Sequence, residues 1–256
     1  FRGAYALTQE IERRGLKIGI VAVPKTIDND IPYTARTFGF ETAYSVASEA
    51  IRGAHVEATG ALNGIGLVKL MGRHAGFIAV HAALASHDAN FVLVPEVEFE
   101  LVGANGFLAH LARRLKSRQH AVVVVAEGAG QGLFDEDDPA GETRDPSGNV
   151  RPQDIGIYLR DRISEYLRLV GLPFSLKYID PSYLIRSAPA TPSDSLFAGI
   201  LGQMAVHAAM AGKTGMFVSY WNDQFTHVPI AAVVSQTKRL DPTGHIGQPR
   251  EAALRQ

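Results

Sequence analysis

The sequence predicts an α/β fold built from parallel βαβ units. Short apolar runs rich in β-branched residues, such as residues 18–23 and 121–126, alternate with segments that carry apolar residues at helical spacing. Strands that alternate with helices are typical of parallel sheets. Charged residues follow directly after several of these runs, and in such sheets the carboxyl ends of the strands are where ligands bind.

The composition excludes several classes of function. Lys and Arg number 25 against 26 Asp and Glu, so the overall charge favours neither nucleic acid nor an acidic membrane surface as a partner. The chain has no cysteine, which excludes disulfides, thiolate metal sites and cysteine nucleophiles. The apolar runs are strand-sized and shorter than a membrane-spanning helix requires. We therefore expect a folded protein that binds neither nucleic acid nor membranes.

In the first half of the chain, apolar spacing predicts the helices and β-branched runs predict the strands. Helices are expected at residues 4–14, 43–51, 75–86 and 107–116. Strands are expected at residues 18–23, 64–70 and 91–95. The second helix is the clearest, because its apolar residues recur with the spacing of one buried face: Ala43, Val46, Ala47, Ala50 and Ile51.

The second half continues the alternation. Strands are expected at residues 121–126, 175–179 and 216–220, the last of these being the final strand. Asp154 and Asp194 are expected to be the N-caps of two helices, and the second helix should run to Gly212. Residues 134–152 are acidic and rich in Gly and Pro, which predicts an exposed loop.

The segment Pro24-Lys25-Thr26-Ile27-Asp28-Asn29-Asp30 is the strongest functional candidate. It follows the apolar run at residues 18–23, so it should lie at the carboxyl end of a strand. The segment is expected to form an extended tip that carries Asp28 and Asp30. One carboxylate could then accept a proton from a hydroxyl group while the other binds Mg²⁺. The alternative is a turn held by hydrogen bonds from the Asp and Asn side chains.

Three further strand ends carry polar residues: Met71-Gly72-Arg73, Glu127, and the pair Tyr183 and Arg186. The cations Arg73, Arg186 and Lys25 suit a phosphorylated ligand, since an Arg side chain can donate two hydrogen bonds to one phosphate. Glu127 suits sugar hydroxyls. The alternative for each residue alone is a solvated surface, but four polar strand ends in one parallel sheet favour a shared site.

Several of these motifs together resemble the 6-phosphofructokinase family. The resemblance rests on the segment at residues 24–30, on Phe38-Gly39-Phe40-Glu41-Thr42-Ala43, on Met71-Gly72-Arg73-His74-Ala75-Gly76-Phe77, and on the segments at residues 126–131 and 177–186. It extends to about Asp241. The later segments are similar to the branch that contains the plant-type and kinetoplastid ATP-dependent enzymes. The implied activity is phosphorylation of fructose 6-phosphate in glycolysis.

The resemblance implies a role for each residue of the first segment. Asp28 would be the general base that takes the proton from the 1-hydroxyl of the sugar. Thr26 and Asp30 would lie beside the transferred phosphoryl group, with Asp30 as a ligand of Mg²⁺, the expected cofactor. Lys25 would contact the phosphates of the donor.

The resemblance also implies a sugar-phosphate pocket. Met71, Gly72 and Arg73 would line it, and Arg73 would also serve catalysis. Glu127 would bind sugar hydroxyls, and Tyr183 and Arg186 would hold the 6-phosphate, with Tyr183 standing where the best-known bacterial enzymes carry His.

Two further positions differ from the bacterial enzymes. Lys177 would contribute to the pocket across a subunit interface, at a position where those enzymes have Arg. Gly64 stands where they have a second Arg. The resemblance implies a homodimer or homotetramer with allosteric behaviour, although these two differences leave the allostery and the pocket's cations open. It also implies a cytoplasmic enzyme.

The fold implied by the resemblance has two Rossmann-like lobes with mainly parallel sheets and the active site in the cleft between them. Residues 1–40 and 191–240 would form the nucleotide-side lobe, residues 41–190 the sugar-phosphate-side lobe, and residues 241–256 a C-terminal tail. The family's glycine-rich loop and Gly-Gly-Asp-Gly-Thr motif would precede Phe1. The chain is therefore expected to be truncated at its N-terminus and inactive by itself.

The identity of the phosphoryl donor is where the sequence gives conflicting indications. Lys25 favours pyrophosphate, because an ammonium group there could neutralise a compact donor and occupy space that a nucleotide needs. The segments at residues 126–131 and 177–186 resemble a branch that carries this Lys and still uses ATP. We expect ATP, with pyrophosphate as the alternative donor. A non-catalytic sugar-phosphate-binding subunit is the alternative of another class, which the retained Asp28, Asp30, Arg73 and Arg186 disfavour.

Overall fold

The computed structural model describes residues 1–134 and 153–243, and within them the chain forms two compact units. Unit 1 contains Phe1–Thr42 and the described part of Pro189–Gln256, and unit 2 contains the described parts of Ala43–Ala188. The expected loop at residues 134–152 and tail at residues 241–256 lie almost entirely outside the described residues. The division into a nucleotide side and a sugar side stays a prediction.

The predicted alternation of helices and strands is confirmed over most of the chain. The helices are α1 (Arg2–Arg13), α2 (Phe40–Thr59), α3 (Phe77–Ser86), α4 (Phe107–Arg118), α5 (Ile155–Leu169), α6 (Ser182–Ser187), α7 (Pro192–Met210) and α8 (Ile230–Val234). The strands are β1 (Val21–Ala22), β2 (Lys25–Thr26), β3 (Phe38–Gly39), β4 (Gly64–Leu70), β5 (Phe91–Leu93), β6 (His120–Ala126), β7 (Ser175–Ile179), β8 (Met216–Trp221) and β9 (Gln224–Pro229).

Unit 2 is built on a parallel sheet with the strand order β5-β6-β4-β7. The central strand β4 pairs with β6 along its whole length, from Gly64 opposite His120 to Leu70 opposite Ala126. On its other side it pairs with β7, ending with Val68 opposite Ile179. Both central strands are buried, as expected for a parallel sheet covered on two faces. The predicted parallel α/β fold is therefore confirmed.

Close packing of helix α2 on strand β4 explains the two glycines of that strand. A Cβ atom on Gly66 would lie 2.8 Å from the Cβ atom of Ala54, and one on Gly64 would overlap the carbonyl oxygen of Ala58. Helices α4 and α5 contribute the fully buried Leu111, Leu115, Leu159 and Ile163 to a core that includes Leu67 of β4. These contacts fix the position of β4 against the helices that pack on it, and therefore the position of the residues that follow the strand.

Unit 1 contains a smaller mixed sheet, and here two predictions need correction. Only Val21–Ala22 of the expected strand at residues 18–23 pairs with a neighbour, in parallel with Met216 and Phe217 of β8, and Ile18 is 53% exposed. Strand β9 was missed. It returns antiparallel to β8 through a two-residue turn, Asn222-Asp223, in which both residues have positive φ, and most of its residues are exposed.

The predicted N-cap of α7 is also wrong. The cap is Thr191, whose Oγ1 accepts a hydrogen bond from the Asp194 N–H at 3.3 Å, with Pro192 as the first helical residue. Asp194 is 2% exposed, and its Oδ2 accepts from the backbone N–H of Thr42 at 2.8 Å and from the Thr42 hydroxyl at 2.7 Å. Asp194 therefore stabilises the first turn of α2 instead of capping its own helix.

No helix in residues 1–134 and 153–243 is both long enough and apolar enough to cross a membrane.

Asp194 generates the first prediction. Replacing Asp194 with Ala leaves the buried N–H and hydroxyl of Thr42 without their acceptor, so the free energy of unfolding should fall by about 1.5–3 kcal/mol. Urea unfolding of the complete protein measures the loss. Asp161→Ala is the matched control, because Asp161 is exposed on α5 and its described side-chain partner is the exposed Arg160. Equal stability of the two variants would contradict the role given to Asp194.

Candidate active site

The segment at residues 24–30, which forms the charged tip of unit 1, is anchored by two short parallel strands. Lys25 and Thr26 of β2 pair with Phe38 and Gly39 of β3. The Thr37 hydroxyl donates to the carbonyl oxygen of Thr26 at 2.7 Å, next to this pairing. The side chain of Thr26 in turn accepts from the backbone N–H of Asp28 at 3.2 Å. Lys25 is exposed, while Thr26 and Asp28 are half-buried.

The side chain of Asn29 stabilises the tip through hydrogen bonds to the backbone. Its Oδ1 accepts from the Thr37 N–H at 3.1 Å and its Nδ2 donates to the Ala35 carbonyl at 3.4 Å, so its amide closes the loop on itself. Asn29 has φ +55°, a left-handed conformation that Asn tolerates better than most residues. The expected extended tip is therefore wrong at this residue, and the turn stabilised by side-chain hydrogen bonds is the better description. Asp28 and Asp30 flank the buried amide and are half-buried.

A buried lysine that the sequence analysis missed supports the same tip. Lys238 is 5% exposed, and its Nζ donates to the carbonyl oxygens of Thr34 and Ala35, each at 3.0 Å. Its backbone N–H donates to the carbonyl of Asp30 at 3.0 Å. Burial lowers the pKa of Lys238 to about 7, and the negative charge of Asp30 opposes this shift. The tip is thus held by an ammonium group whose charge changes near neutral pH.

A cavity of about 480 Å³ opens beside the tip within unit 1. Lys25, Thr26 and Asp30 line it, together with Arg2 and Gln236, and Asp28 is not among its lining residues. Two cationic side chains and a carboxylate therefore share one opening, which is chemically suited to an anion accompanied by a metal cation.

The donor set of the tip fits Mg²⁺ only in part. Within residues 1–134 and 153–243 no group of three or more His, Cys, Asp or Glu side chains could hold a metal ion. Mg²⁺, however, is commonly bound by one or two carboxylates together with substrate phosphates and water. Asp30, which is half-buried at the edge of the cavity, can supply one such carboxylate.

The second group of predicted residues lies in unit 2, at the carboxyl end of the parallel sheet. Met71, Gly72 and Arg73 follow β4 directly, and Glu127 follows β6. Because Leu70 and Ala126 are paired in register, these two strand ends lie side by side, and the Glu127 N–H donates to the Leu70 carbonyl at 2.8 Å. Met71 and Gly72 are buried, whereas Arg73 and Glu127 are partly exposed.

Glycine is required where these two strand ends touch. A Cβ atom on Gly128 would overlap the carbonyl oxygen of Arg73, and Gly72 has φ +125°, a conformation that L side chains rarely adopt. Gly128 therefore permits a close approach of two backbones, and this approach sets Arg73 beside Glu127.

The electrostatics of Glu127 connect this group to Arg186. Burial raises the pKa of the Glu127 carboxyl, and the positive charges of Arg73, Lys69 and Arg186 partly offset that increase. Arg186 lies in α6, the short helix that follows β7, and is exposed. The structure thus brings Arg73, Glu127 and Arg186 into one electrostatic neighbourhood. Lys69, which joins them there, was not predicted from the sequence.

Lys177 and Tyr183 are the two remaining residues of the predicted sugar-phosphate pocket. Lys177 sits in the middle of β7, opposite Gly66, and its Nζ is 3.7 Å from Glu57 Oε1 in an exposed pair. Its expected contribution across a subunit interface stays a prediction. Tyr183 is 86% exposed at the start of α6, so within the described chain its ring is available to a ligand.

Comparisons with known proteins agree with the sequence resemblance. A family model described as phosphofructokinase matches residues 1–209. The ATP-dependent 6-phosphofructokinase of Borreliella burgdorferi is 51% identical over 249 residues, which cover 95% of this chain and 55% of that protein. ATP-dependent 6-phosphofructokinase from Amycolatopsis methanolica is 48% identical, with 96% of this chain and 54% of the relative covered. The chain spans about half the length of the curated relatives it matches.

Solved structures support the fold. A pyrophosphate-dependent phosphofructokinase from Marinobacter aquaeolei superposes with a TM-score of 0.71 at 24% identity, covering 93% of this chain and 58% of that one. Phosphofructokinase from Pichia pastoris in the T-state gives 0.64 at 22% identity, covering 89% of this chain and 23% of that one. At these identities the likeness concerns the two-lobe Rossmann-like fold.

The buried Lys238 generates a prediction about pH. Because its pKa is lower in the folded than in the unfolded protein, the unfolded state binds more protons between about pH 7 and the ordinary lysine value of 10.5. The contribution of Lys238 to stability should therefore rise with pH across this window. Urea unfolding of the complete protein at pH 7 and pH 9 measures the rise, which should be smaller in Lys238→Met.

The exposed Lys17→Met is the matched control and should keep the wild-type dependence on pH. If Lys238→Met and Lys17→Met respond to pH identically, Lys238 is not the buried titrating group.

Proposed function

The chain belongs to the phosphofructokinase family, and we propose that its protein transfers the terminal phosphoryl group of ATP to the 1-hydroxyl of fructose 6-phosphate. The observation that carries the proposal is the neighbourhood of Arg73, Glu127 and Arg186 at the carboxyl end of the unit 2 sheet. Two guanidinium groups suit a dianionic 6-phosphate, because each can donate paired hydrogen bonds to phosphate oxygens. The half-buried Glu127 carboxylate suits the hydroxyl groups of the sugar.

The proposed chemistry is a direct phosphoryl transfer. Asp28 accepts the proton of the 1-hydroxyl as that oxygen forms a bond to the γ-phosphorus. The bond from the γ-phosphorus to the bridging oxygen breaks, and ADP leaves with its electron pair. Thr26 and Asp30 lie beside the donor phosphates, and Mg²⁺ bound by Asp30 would neutralise phosphate charge there. Most of the acceleration comes from positioning and electrostatic stabilisation.

ATP is the donor that the comparisons favour. The curated relatives at 48–51% identity are named ATP-dependent, and they cover nearly all of this chain. The second candidate, pyrophosphate, is favoured by Lys25, an exposed cation that lines the cavity beside the tip. The product, fructose 1,6-bisphosphate, is the same with either donor.

The proposal extends to the setting of the reaction. We infer a cytoplasmic glycolytic enzyme that works as a homodimer or homotetramer, with Lys177 near the subunit interface. The exposure of Lys177 on β7 is compatible with a contact to a second copy.

The test of this function is a comparison of donors. The complete protein is supplied with fructose 6-phosphate, Mg²⁺ and either ATP or pyrophosphate, and fructose 1,6-bisphosphate is measured. We expect turnover with ATP, because the relatives named for ATP are 48–51% identical to this chain over the aligned residues. Turnover with pyrophosphate alone would make Lys25 the better guide to the donor. Product with neither donor would contradict the proposed activity.

Asp28 generates a separate prediction. Asp28→Asn keeps the shape of the side chain and removes the proton acceptor, so kcat should fall by roughly 10²–10⁴-fold while the KM for fructose 6-phosphate changes little. Initial rates of the complete protein measure both constants. Asp161→Asn, an exposed change on α5, is the matched control and should leave both unchanged. Near-wild-type kcat in Asp28→Asn would exclude Asp28 as the base.

A further inference from the structure

The cluster around Lys69 is the buried charge group that the proposed reaction does not use. Lys69 is the one ionisable residue of β4, a strand otherwise made of apolar residues and glycine. Its side chain is 12% exposed, and its Nζ lies 2.8 Å from Asp154 Oδ2 and 2.8 Å from Asp180 Oδ2. One ammonium group therefore holds two carboxylates that are distant from it in sequence.

Strand register places Asp180 at this position. Val68 is paired with Ile179, the last residue of β7. Lys69 comes directly after Val68 and Asp180 directly after Ile179, so the two residues lie side by side on neighbouring strands. Asp154 reaches the cluster from the other side, at the residue before α5. Lys69 therefore joins a strand end and a helix start to the central strand of the sheet.

Asp154 uses its second oxygen to cap α5, and Asp180 uses its second oxygen to bind Ser182, the first residue of α6. Asp154 Oδ1 accepts from the N–H groups of Gly156 and Ile157, at 3.0 and 3.1 Å, at the start of α5. Asp180 Oδ1 accepts from the Ser182 N–H at 3.1 Å and from the Ser182 hydroxyl, at the start of α6. The orientation of both helix starts thus depends on carboxylates that Lys69 holds in place.

The charges of the cluster are mutually stabilised. Burial alone would lower the pKa of Lys69, but hydrogen bonds with Asp154 and Asp180 outweigh burial and raise the pKa above its ordinary value. Burial likewise acts to raise the pKa of both aspartates, but Lys69, together with the hydrogen bonds from the two helix starts, brings the pKa of each below its ordinary value. All three groups are therefore ionised at neutral pH. Removing the ammonium group would leave two partly buried carboxylates facing each other.

Helix α6, which begins two residues after Asp180, carries Arg186, the proposed anchor of the 6-phosphate. Helix α6 is only six residues long, so a shift of its first turn moves Arg186 with it. Lys69 and Asp180 also act directly on the charge balance of Glu127. We propose that Lys69 is a positioning residue for the sugar-phosphate pocket, because through Asp180 it fixes α6 and thereby Arg186. This inference rests on the proposed function, since it takes fructose 6-phosphate as the ligand.

The first measurement is equilibrium binding of fructose 6-phosphate to the complete protein by calorimetry, without any donor. Lys69→Met should weaken binding roughly 10-fold or more, because the phosphate anchor is displaced. In steady-state assays its KM for the sugar should rise far more than its KM for ATP, with kcat changed less.

Lys69→Arg, which keeps the charge, should restore part of the affinity. Lys116→Met, an exposed change in the last turn of α4, is the matched control and should bind like wild type.

A double-mutant cycle distinguishes positioning from general structural support. Arg186→Ala should itself weaken sugar binding, and if Lys69 acts through Arg186, adding Lys69→Met should then cost little further affinity. Additive losses, or equal increases in both KM values, would overturn the proposal. If Lys69→Met does not fold, Asp180→Asn takes its place, because the amide keeps an oxygen that can accept from the Ser182 N–H while losing the ion pair. Normal sugar affinity in Asp180→Asn would likewise overturn it.

Failure of the proposed function would look different. In that case the wild-type protein itself would show no binding of fructose 6-phosphate in the calorimeter and no turnover with either donor. Failure of the Lys69 proposal alone leaves wild-type binding and turnover intact while the variants match the control.

Discussion

The parallel pairing of β4 with its neighbours is the constraint on which unit 2 depends. Seven consecutive residues of β4 pair with β6, and the pairing with β7 ends two residues earlier. A parallel strand buried on both faces admits few polar side chains, so, apart from Lys69, the charged residues of β4 and its continuation begin where the pairing stops. Because all of these strands run the same way, their polar continuations meet at one edge of the sheet. The candidate site is thus a consequence of sheet topology before it is a consequence of any individual side chain.

An element of this fold could be predicted from the sequence when its own residues carry an apolar or periodic pattern. The buried strands β4 and β6 are long apolar segments and were predicted to within a residue, and the N-cap of the periodic helix α5 was predicted correctly. Strand β9 has mostly exposed residues and no apolar run, because it is paired on one side only, by β8. The cap at Thr191 was missed because Asp194, an equally good capping residue, is occupied by Thr42, which lies 152 residues away in the sequence. Errors therefore arose where a distant partner decides the local structure.

The same distinction applies to the candidate site. Arg73, Glu127 and Arg186 were predicted because each follows a recognisable strand and belongs to a motif. Lys69 and Lys238 were not, because a lysine is ordinarily assigned to the surface and its burial depends on remote partners. Lys69 meets a carboxylate 85 residues away, and Lys238 meets a carbonyl group 204 residues away. No local pattern at either lysine indicates these partners.

The two buried lysines illustrate opposite ways of keeping an ammonium group inside a protein. Lys69 faces two ionised carboxylates, whose hydrogen bonds more than compensate for its burial and keep it charged. Lys238 donates to backbone carbonyl oxygens, which are dipoles and not charges, and Asp30 opposes its deprotonation without cancelling the effect of burial. The charge is retained at Lys69, where hydrogen bonds with ionised partners outweigh burial, and is more readily lost at Lys238, where burial outweighs the opposing charge. Near neutral pH the charge of Lys69, next to the strand ends of unit 2, is therefore constant. The charge of Lys238, next to the Asp28–Asp30 tip, is not.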